Sequence, residues 1–316
     1  MKLVFAELEA LQRYVSREFA YVLTGLVEEH GWRQLDPYEV WRAPGTLLDK
    51  LLAALGEIPE IVLFWEGYDF LNAHRGIFER LGCRKYVFAD DLHWWNETMR
   101  AAKILGYSSC DGVLCTYEPA FQRMYPRIAR EKEVSWIPHA ASPDFLLEYD
   151  EHPEAAVFLS GAINEHYPLR QAMLRLHERG GPAIALHRHP GYHCSYDYGV
   201  DAGVGSGYAE KIHGYLAGFT DGSTFRYTVA KHFEIPATGA LLLADGAMSG
   251  DLARLGFEEG VHFLPVSVGN LQDRLAYVLD PRNREEIDAV RRQGRELVHA
   301  RHTTAHRARR IHEVCR

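Results

Sequence analysis

Acids, histidines and aromatic side chains gather at a few places in this 316-residue chain. Phe88 to Trp95 reads FADDLHWW, directly after an apolar stretch. An aspartate or histidine at the C-terminal end of a strand is well placed to take a proton from a hydroxyl. Asp91 and His93 are therefore candidate general bases. Glu66, in WEGYDF after the run IVLFW, is a further candidate of the same kind. Trp65, Tyr68, Trp94 and Trp95 could stack on a ligand face or simply pack a core.

A second group lies further along. Ser160-Gly161-Ala162 follows an apolar run and precedes a helical pattern, and Gly161 permits close approach of backbone to a ligand. Asp221-Gly222-Ser223-Thr224 stands before an expected helix over 225–237, where free N–H groups, the helix dipole and the hydroxyls of Ser223 and Thr224 would attract phosphate. Arg170, Arg188 and Lys231 could add positive charge against a diphosphate. His187, His189 and His193 are close together, but no carboxylate or cysteine pattern beside them matches a zinc motif, so they read as histidines lining a loop and no metal site is expected. The five cysteines, Cys83, Cys110, Cys115, Cys194 and Cys315, include no pair at CxxC spacing and read as free thiols. No D-x-D triad of the kind that holds a divalent cation on a diphosphate occurs.

Positioning these groups requires alternating strands and helices. Short apolar runs at 2–6, 61–65, 85–89, 112–116 and 134–137 read as buried strands, with helical patterns at 13–30, 47–55 and 70–81. SPDFLLEYDEHP then reads as a linker, and the alternation restarts. Strands are expected at 156–159, 183–186, 216–219, 240–244 and 262–265, with helices at 168–179, 208–216, 225–237, 271–279 and 284–314. The fold class is α/β with two parallel sheets. The expected domains are 1–141, a linker at 142–153, and 154–316, the last helix packing back on the first domain. With 35 Lys and Arg against 43 Asp and Glu, the net charge of −8 argues against a general nucleic-acid binder. No stretch reaches membrane-span length, and the acidic residues near the start do not suit a signal peptide, so a cytoplasmic protein is expected.

The C-terminal half carries KHFEIPATGALLLAD, LGFEEGVHFLPV, NLQDRLAYVLDP and HTTAHRARRI, preceded by WIPHAASPDF and VFLSGAINEHYPLRQAML. This order resembles the GT-B glycosyltransferases, especially the bacterial group related to spore-coat and spore-maturation enzymes (glycosyl transferases group 1). The resemblance covers roughly 134–312 and is weaker over the first domain. It implies two Rossmann-like domains facing across a cleft, the first for an acceptor and the second for a nucleotide sugar. It implies a metal-independent hexosyltransferase with no cofactor, a UDP-type donor and an unidentified acceptor: glycan, small molecule or nucleic acid. Glu234 matches the second of two glutamates eight positions apart in retaining relatives, the one that binds donor ribose. The first falls at Arg226, a departure that leaves open the contacts to the transferred sugar. Asp91, His93 or Glu66 would then take the acceptor proton. Two other readings are a nucleotide-sugar-binding relative without transfer, or a phage-type enzyme that glycosylates nucleic acid.

Overall fold

A computed structural model describes residues 1–193, 195–201 and 203–316. Cys194 falls outside them; Cys83, Cys110, Cys115 and Cys315 are buried free thiols. Two compact units emerge. The first comprises Met1–Gln12, Phe19–Pro138 and Ala305–Arg316, and the second Arg13–Glu18 and His139–Thr304.

In the first unit the elements are β1 (Lys2–Phe5), α1 (Leu8–Gln12), α2 (Glu18–Glu28, whose first residue counts with the second unit), β2 (Arg33–Leu35), α3 (Pro37–Arg42), α4 (Leu47–Leu55), β3 (Ile61–Trp65), α5 (Tyr68–Arg80), β4 (Arg84–Ala89), α6 (Glu97–Ser109), β5 (Gly112–Cys115), α7 (Glu118–Met124), α8 (Pro126–Glu131) and β6 (Glu133–Trp136). The six strands form one parallel sheet in the order β2-β1-β3-β4-β5-β6. Side chains alternate between faces along each strand. Val4, Leu63, Tyr86, Phe88 and Leu114 pack against Val22, Leu23 and Leu26 of α2. Phe5 and Phe64 face the other way, where Phe5 meets Phe70 of α5 at 4.8 Å and Phe64 meets Phe78 at 5.3 Å. Burial on both faces explains why IVLFW is apolar throughout.

The second unit holds β7 (Glu154–Ser160), α9 (Pro168–Glu178), β8 (Ile184–His187), α10 (Gly205–His213), β9 (Tyr215–Thr220), α11 (Lys231–Ala237), β10 (Leu241–Asp245), α12 (Ser249–Arg254), β11 (Leu264–Val266), α13 (Leu271–Leu279) and α14 (Arg284–Arg301). The final helix, α15 (Thr304–Val314), lies almost wholly in the first unit. The second sheet is also parallel, in the order β11-β10-β9-β7-β8. Counted from its own first strand, its order is 2-1-3-4-5, the same as the first five strands of the first sheet. Each sheet therefore has a switch point, between β1 and β3 and between β7 and β9, where open α/β sheets bind ligands at the strands' C-terminal ends.

Three expected helices differ. That over 13–30 begins at Glu18 instead, because Arg13 to Arg17 is drawn away: the Arg13 carbonyl accepts from the Tyr196 N–H, and Arg17 pairs with Asp144 at 2.7 Å and lies 3.9 Å over the Tyr198 ring. The helix over 284–314 breaks at His302 and Thr303, where Ala141 exchanges backbone hydrogen bonds with His302 and Thr304. The helix over 225–237 starts only at Lys231. The segment read as a linker is held by α14: Arg295 donates to the Leu147 carbonyl and Arg291 to that of Asp150. Among the described residues, no helix is long and apolar enough to cross a membrane.

Candidate functional site

In the second unit, β7 ends in Ser160-Gly161 and its neighbour β9 ends in Thr220-Asp221. Arg170, on the first turn of α9, ties the two ends together. Its Nε lies 2.9 Å from Asp221 Oδ1, Nη1 donates to the Ala162 carbonyl at 3.1 Å, and Nη2 donates to Thr220 Oγ1 at 3.2 Å. Both ion-pair partners are buried. Arg170 was expected to add positive charge against a diphosphate; its guanidinium is engaged inside the unit instead. Its charge is met by the Asp221 carboxylate beside it.

Gly161 takes a φ of 96°, and a Cβ there would lie 2.8 Å from Arg170 Nη1 and 3.3 Å from Lys231 Cε. Gly161→Ala is therefore expected to cost about 1–2 kcal/mol in strain alone, read as a lower urea midpoint at unchanged slope. An unchanged midpoint would show that the turn yields.

Lys231 and Glu234 stand at the start of α11, which sits close on β9: a Cβ at Gly218 would lie 2.9 Å from Ile235 Cγ2. Burial pushes the Glu234 carboxyl up to about 7 against the pull of Lys231. Burial pushes the Lys231 ammonium down to about 8 against the pull of Glu234. The ammonium lies 5.5 Å over the ring of Tyr208, whose hydroxyl meets Ser160 Oγ at 2.5 Å. His189 is pushed down to about 4 by burial and by Lys231 and Arg170. His187 is lowered too, by burial first. At neutral pH these histidines offer hydrogen bonds rather than charge, and the cations of the site are Lys231 and Arg170.

The expected phosphate cradle at 221–224 differs from the sequence reading. It is a turn rather than a helix start, with Ser223 and Arg226 at left-handed φ values of 58° and 57°. Thr224 N–H donates to His166 O, and beyond it Phe225 N–H donates to Ser223 Oγ, Arg226 N–H to Ser223 O and Tyr227 N–H to Gly222 O. Thr224, Arg226 and Arg188 are exposed, Ser223 half-buried. Sequence reasoning missed Tyr208, and also Glu18, whose carboxylate accepts from Ala140 N–H at 2.7 Å and meets His139 Nδ1 at 2.8 Å.

In the first unit, Glu66 follows β3 with a φ of 56°, and Asp90 and Asp91 follow β4. Burial, then Asp90 and Asp91, push the Glu66 carboxyl up to about 8, while Lys103 opposes. Lys103, buried on α6, donates to the carbonyls of Asp91 and His93 and so holds that loop. Thr116 Oγ1 donates to Asp90 Oδ1 at 2.8 Å. His93 Nδ1 is 3.9 Å from Asp91 Oδ1, and the Asp91 side chain is 65% exposed. Of the aromatics, Trp65 belongs to the core, stacked 3.8 Å from Phe88. The Tyr68 hydroxyl bonds that of Tyr107 at 3.1 Å, and Trp94 tilts onto Tyr125. Trp95 is 68% exposed. Glu66, Ser223 and Arg226 are the non-glycine residues at positive φ among the described residues. Such backbone strain gathers at functional sites.

The family model described as glycosyl transferase-like matches residues 212–313, which include β9, α11 and the Lys231–Glu234 pair. Solved structures match over nearly the whole chain. HepE (Alr3699) of Anabaena, in complex with UDP and glucose, matches at TM-score 0.61 and 10% identity, covering 99% of each chain. The chain has the GT-B fold, and its segment 212–313 is glycosyl transferase-like. Sucrose-phosphate synthase of Thermosynechococcus elongatus shares that GT-B fold at TM-score 0.64 and 10% identity, over 99% of this chain and 97% of that one. An alpha-glucosyltransferase in complex with UDP and a 13-mer DNA containing an HMU base matches at TM-score 0.58 and 10% identity, over 99% and 98%. At these identities the likeness is one of fold. No curated protein matches.

Proposed function

We propose that the protein transfers a sugar from a UDP-type nucleotide sugar to an acceptor hydroxyl without a metal ion. The observation that carries this reading is the pairing of half-buried Lys231 with buried Glu234 at the switch point of the second sheet, inside the glycosyl transferase-like segment. Glu234 accepts the two ribose hydroxyls, as a carboxylate can accept two hydrogen bonds at once. Lys231 offsets the charge on the diphosphate. Gly161 lets the backbone approach the donor, and His187 and His189 supply uncharged hydrogen-bonding groups. Ser223, Thr224, Arg226 and Arg188 flank this place, with hydroxyls and cations for the diphosphate or the transferred sugar. In the first unit Glu66 takes the acceptor proton, with Asp91 and His93 as the other groups able to do so. Complexes of HepE and of the alpha-glucosyltransferase with UDP support the choice of nucleotide. The lack of any D-x-D triad supports independence from metal.

UDP and UDP-glucose are expected to raise the melting temperature with or without EDTA. A ligand at a hundred times its Kd stabilises by about 2.7 kcal/mol, an effect read easily by thermal shift. Stabilisation that vanished with EDTA and returned with Mg²⁺ or Mn²⁺ would overturn the metal-independent assignment. Absence of any shift with every nucleoside diphosphate tried would overturn the donor site itself.

A further inference from the structure

The switch point of the first sheet, between β1 and β3, has a ligand-sized cavity of its own. It measures about 850 Å³ and is built from segments that follow three neighbouring strands. Glu7 follows β1, Asp36 and α3 follow β2, and Asp69 follows β3. The carboxylates of Glu7, Asp36 and Asp69 line it together with the rings of Tyr38 and Trp41. Arg42 is the cation among the residues that line it.

The aromatic rings are held in place yet open. Trp41 packs edge-on against Phe70 at 6.0 Å and His74 at 5.5 Å and remains 43% exposed. Tyr38 remains 37% exposed. Asp36 fixes the start of α3, accepting from the Tyr38 and Glu39 N–H groups at 2.8 and 3.0 Å. Asn72, also in the wall, carries a buried Oδ1 with no hydrogen-bond partner.

Exposed large rings beside carboxylates suit one kind of ligand chemistry. A pyranose has a C–H face that packs on an aromatic ring and an edge of hydroxyls that donate to carboxylates. Three acids against one arginine repel phosphate, whereas nucleic-acid sites are built from Lys and Arg. Burial and Asp36 both push the Glu7 carboxyl up, which shows the mutual repulsion an anionic guest would add to. Asp69 lies three positions beyond Glu66, in the first turn of α5.

We propose that this cavity seats the acceptor, and that the acceptor ends in a neutral, hydroxyl-rich sugar rather than a nucleic acid. This rests on the sugar-transfer reading of the previous section and narrows it.

The test uses the full chain and two independent binding measurements. Saturation-transfer NMR and tryptophan fluorescence follow glucose, galactose, maltose and cellobiose, with a single-stranded DNA 13-mer and glucose 6-phosphate as anionic comparators. Calorimetry follows UDP-glucose separately. At least one neutral sugar is expected to bind, and Trp41→Ala to weaken it on the order of tenfold, the equivalent of one stacking contact. Trp41→Phe should retain most of the affinity, and Asp69→Asn should lose part of it. UDP-glucose affinity should be unchanged in all three variants. Failure of every neutral sugar to bind while UDP-glucose binds would overturn the acceptor proposal and leave the donor reading intact. Equal sugar affinity in Trp41→Ala, or tighter binding of the DNA or the sugar phosphate, would overturn it as well. Failure of UDP-glucose to bind while a neutral sugar still binds would overturn the sugar-transfer reading and, with it, this cavity's role as the acceptor seat.

Discussion

Glu66→Gln is expected to lower kcat by about 10²–10⁴-fold, the usual worth of a positioned general base, while leaving donor affinity almost untouched. The substitution keeps the shape of the side chain and removes its basicity. Two features single out this residue: a left-handed backbone at a non-glycine position, and a carboxyl pushed up to about 8 by burial and by Asp90 and Asp91. Only the deprotonated form can accept the acceptor proton. As pH rises through about 8 that form is populated, so kcat/KM should climb with pH and level off above it. Lys103 favours the ionised carboxylate, so Lys103→Met should move the climb to higher pH. Unchanged activity and an unchanged pH profile in Glu66→Gln would move the base to Asp91 or His93.

Glu234→Ala is expected to weaken donor binding on the order of a hundredfold. A hydrogen bond to a charged group is worth about 1.5–3 kcal/mol, and two ribose hydroxyls lose their acceptor together. Glu234→Gln should be milder, since it keeps an oxygen acceptor. The pair should also make affinity depend on pH in two directions. The Glu234 carboxyl ionises as pH rises through about 7, which strengthens its acceptance of hydroxyls. Lys231 loses its charge as pH rises through about 8, which weakens its hold on the diphosphate. Donor affinity should therefore peak between those values and fall on either side. Calorimetric titrations across that range check this, and a flat profile would count against the pair as the donor's anchor.

Much of the scaffold could be read from the residues. IVLFW and ALLLA are apolar throughout because both faces of their sheets are covered, a pattern that points to buried parallel strands. β2, reading RQL, escaped notice because three residues with two polar side chains carry no periodicity. α6, α7 and α8, in the stretches 97–111 and 117–131, escaped notice as well. The reading of 225–237 as one helix failed for a reason its residue types hide: Ser223 and Arg226 turn the backbone left-handed, and nothing in their types demands that.

The site was legible in part. Glu66, Asp91, Lys231 and Glu234 carry side chains whose chemistry is visible at once, and they sit beside strand ends or in a recognisable order. Lys103 was not found, because a lysine in a helix ordinarily reads as solvated surface; here it is buried under the Asp91–His93 loop. Arg170 could be read as a diphosphate ligand, but its partners Ala162 and Asp221 are eight and fifty-one positions away and only the folded chain brings them together. The cavity of Glu7, Asp36 and Asp69 was invisible for the same reason, since three separate strand ends build it.

The account turns on Glu234 holding the donor ribose, and a comparison of UDP with 2′-deoxy-UDP tests that contact most directly. Both nucleotides are titrated calorimetrically into the unaltered protein and into Glu234→Ala, each first shown to be folded by circular dichroism. The unaltered protein should prefer UDP by about tenfold or more, and Glu234→Ala should bind the two nucleotides nearly alike, because the hydroxyl and the carboxylate are partners in one contact. The same preference for UDP in both proteins would contradict the account and place the ribose elsewhere.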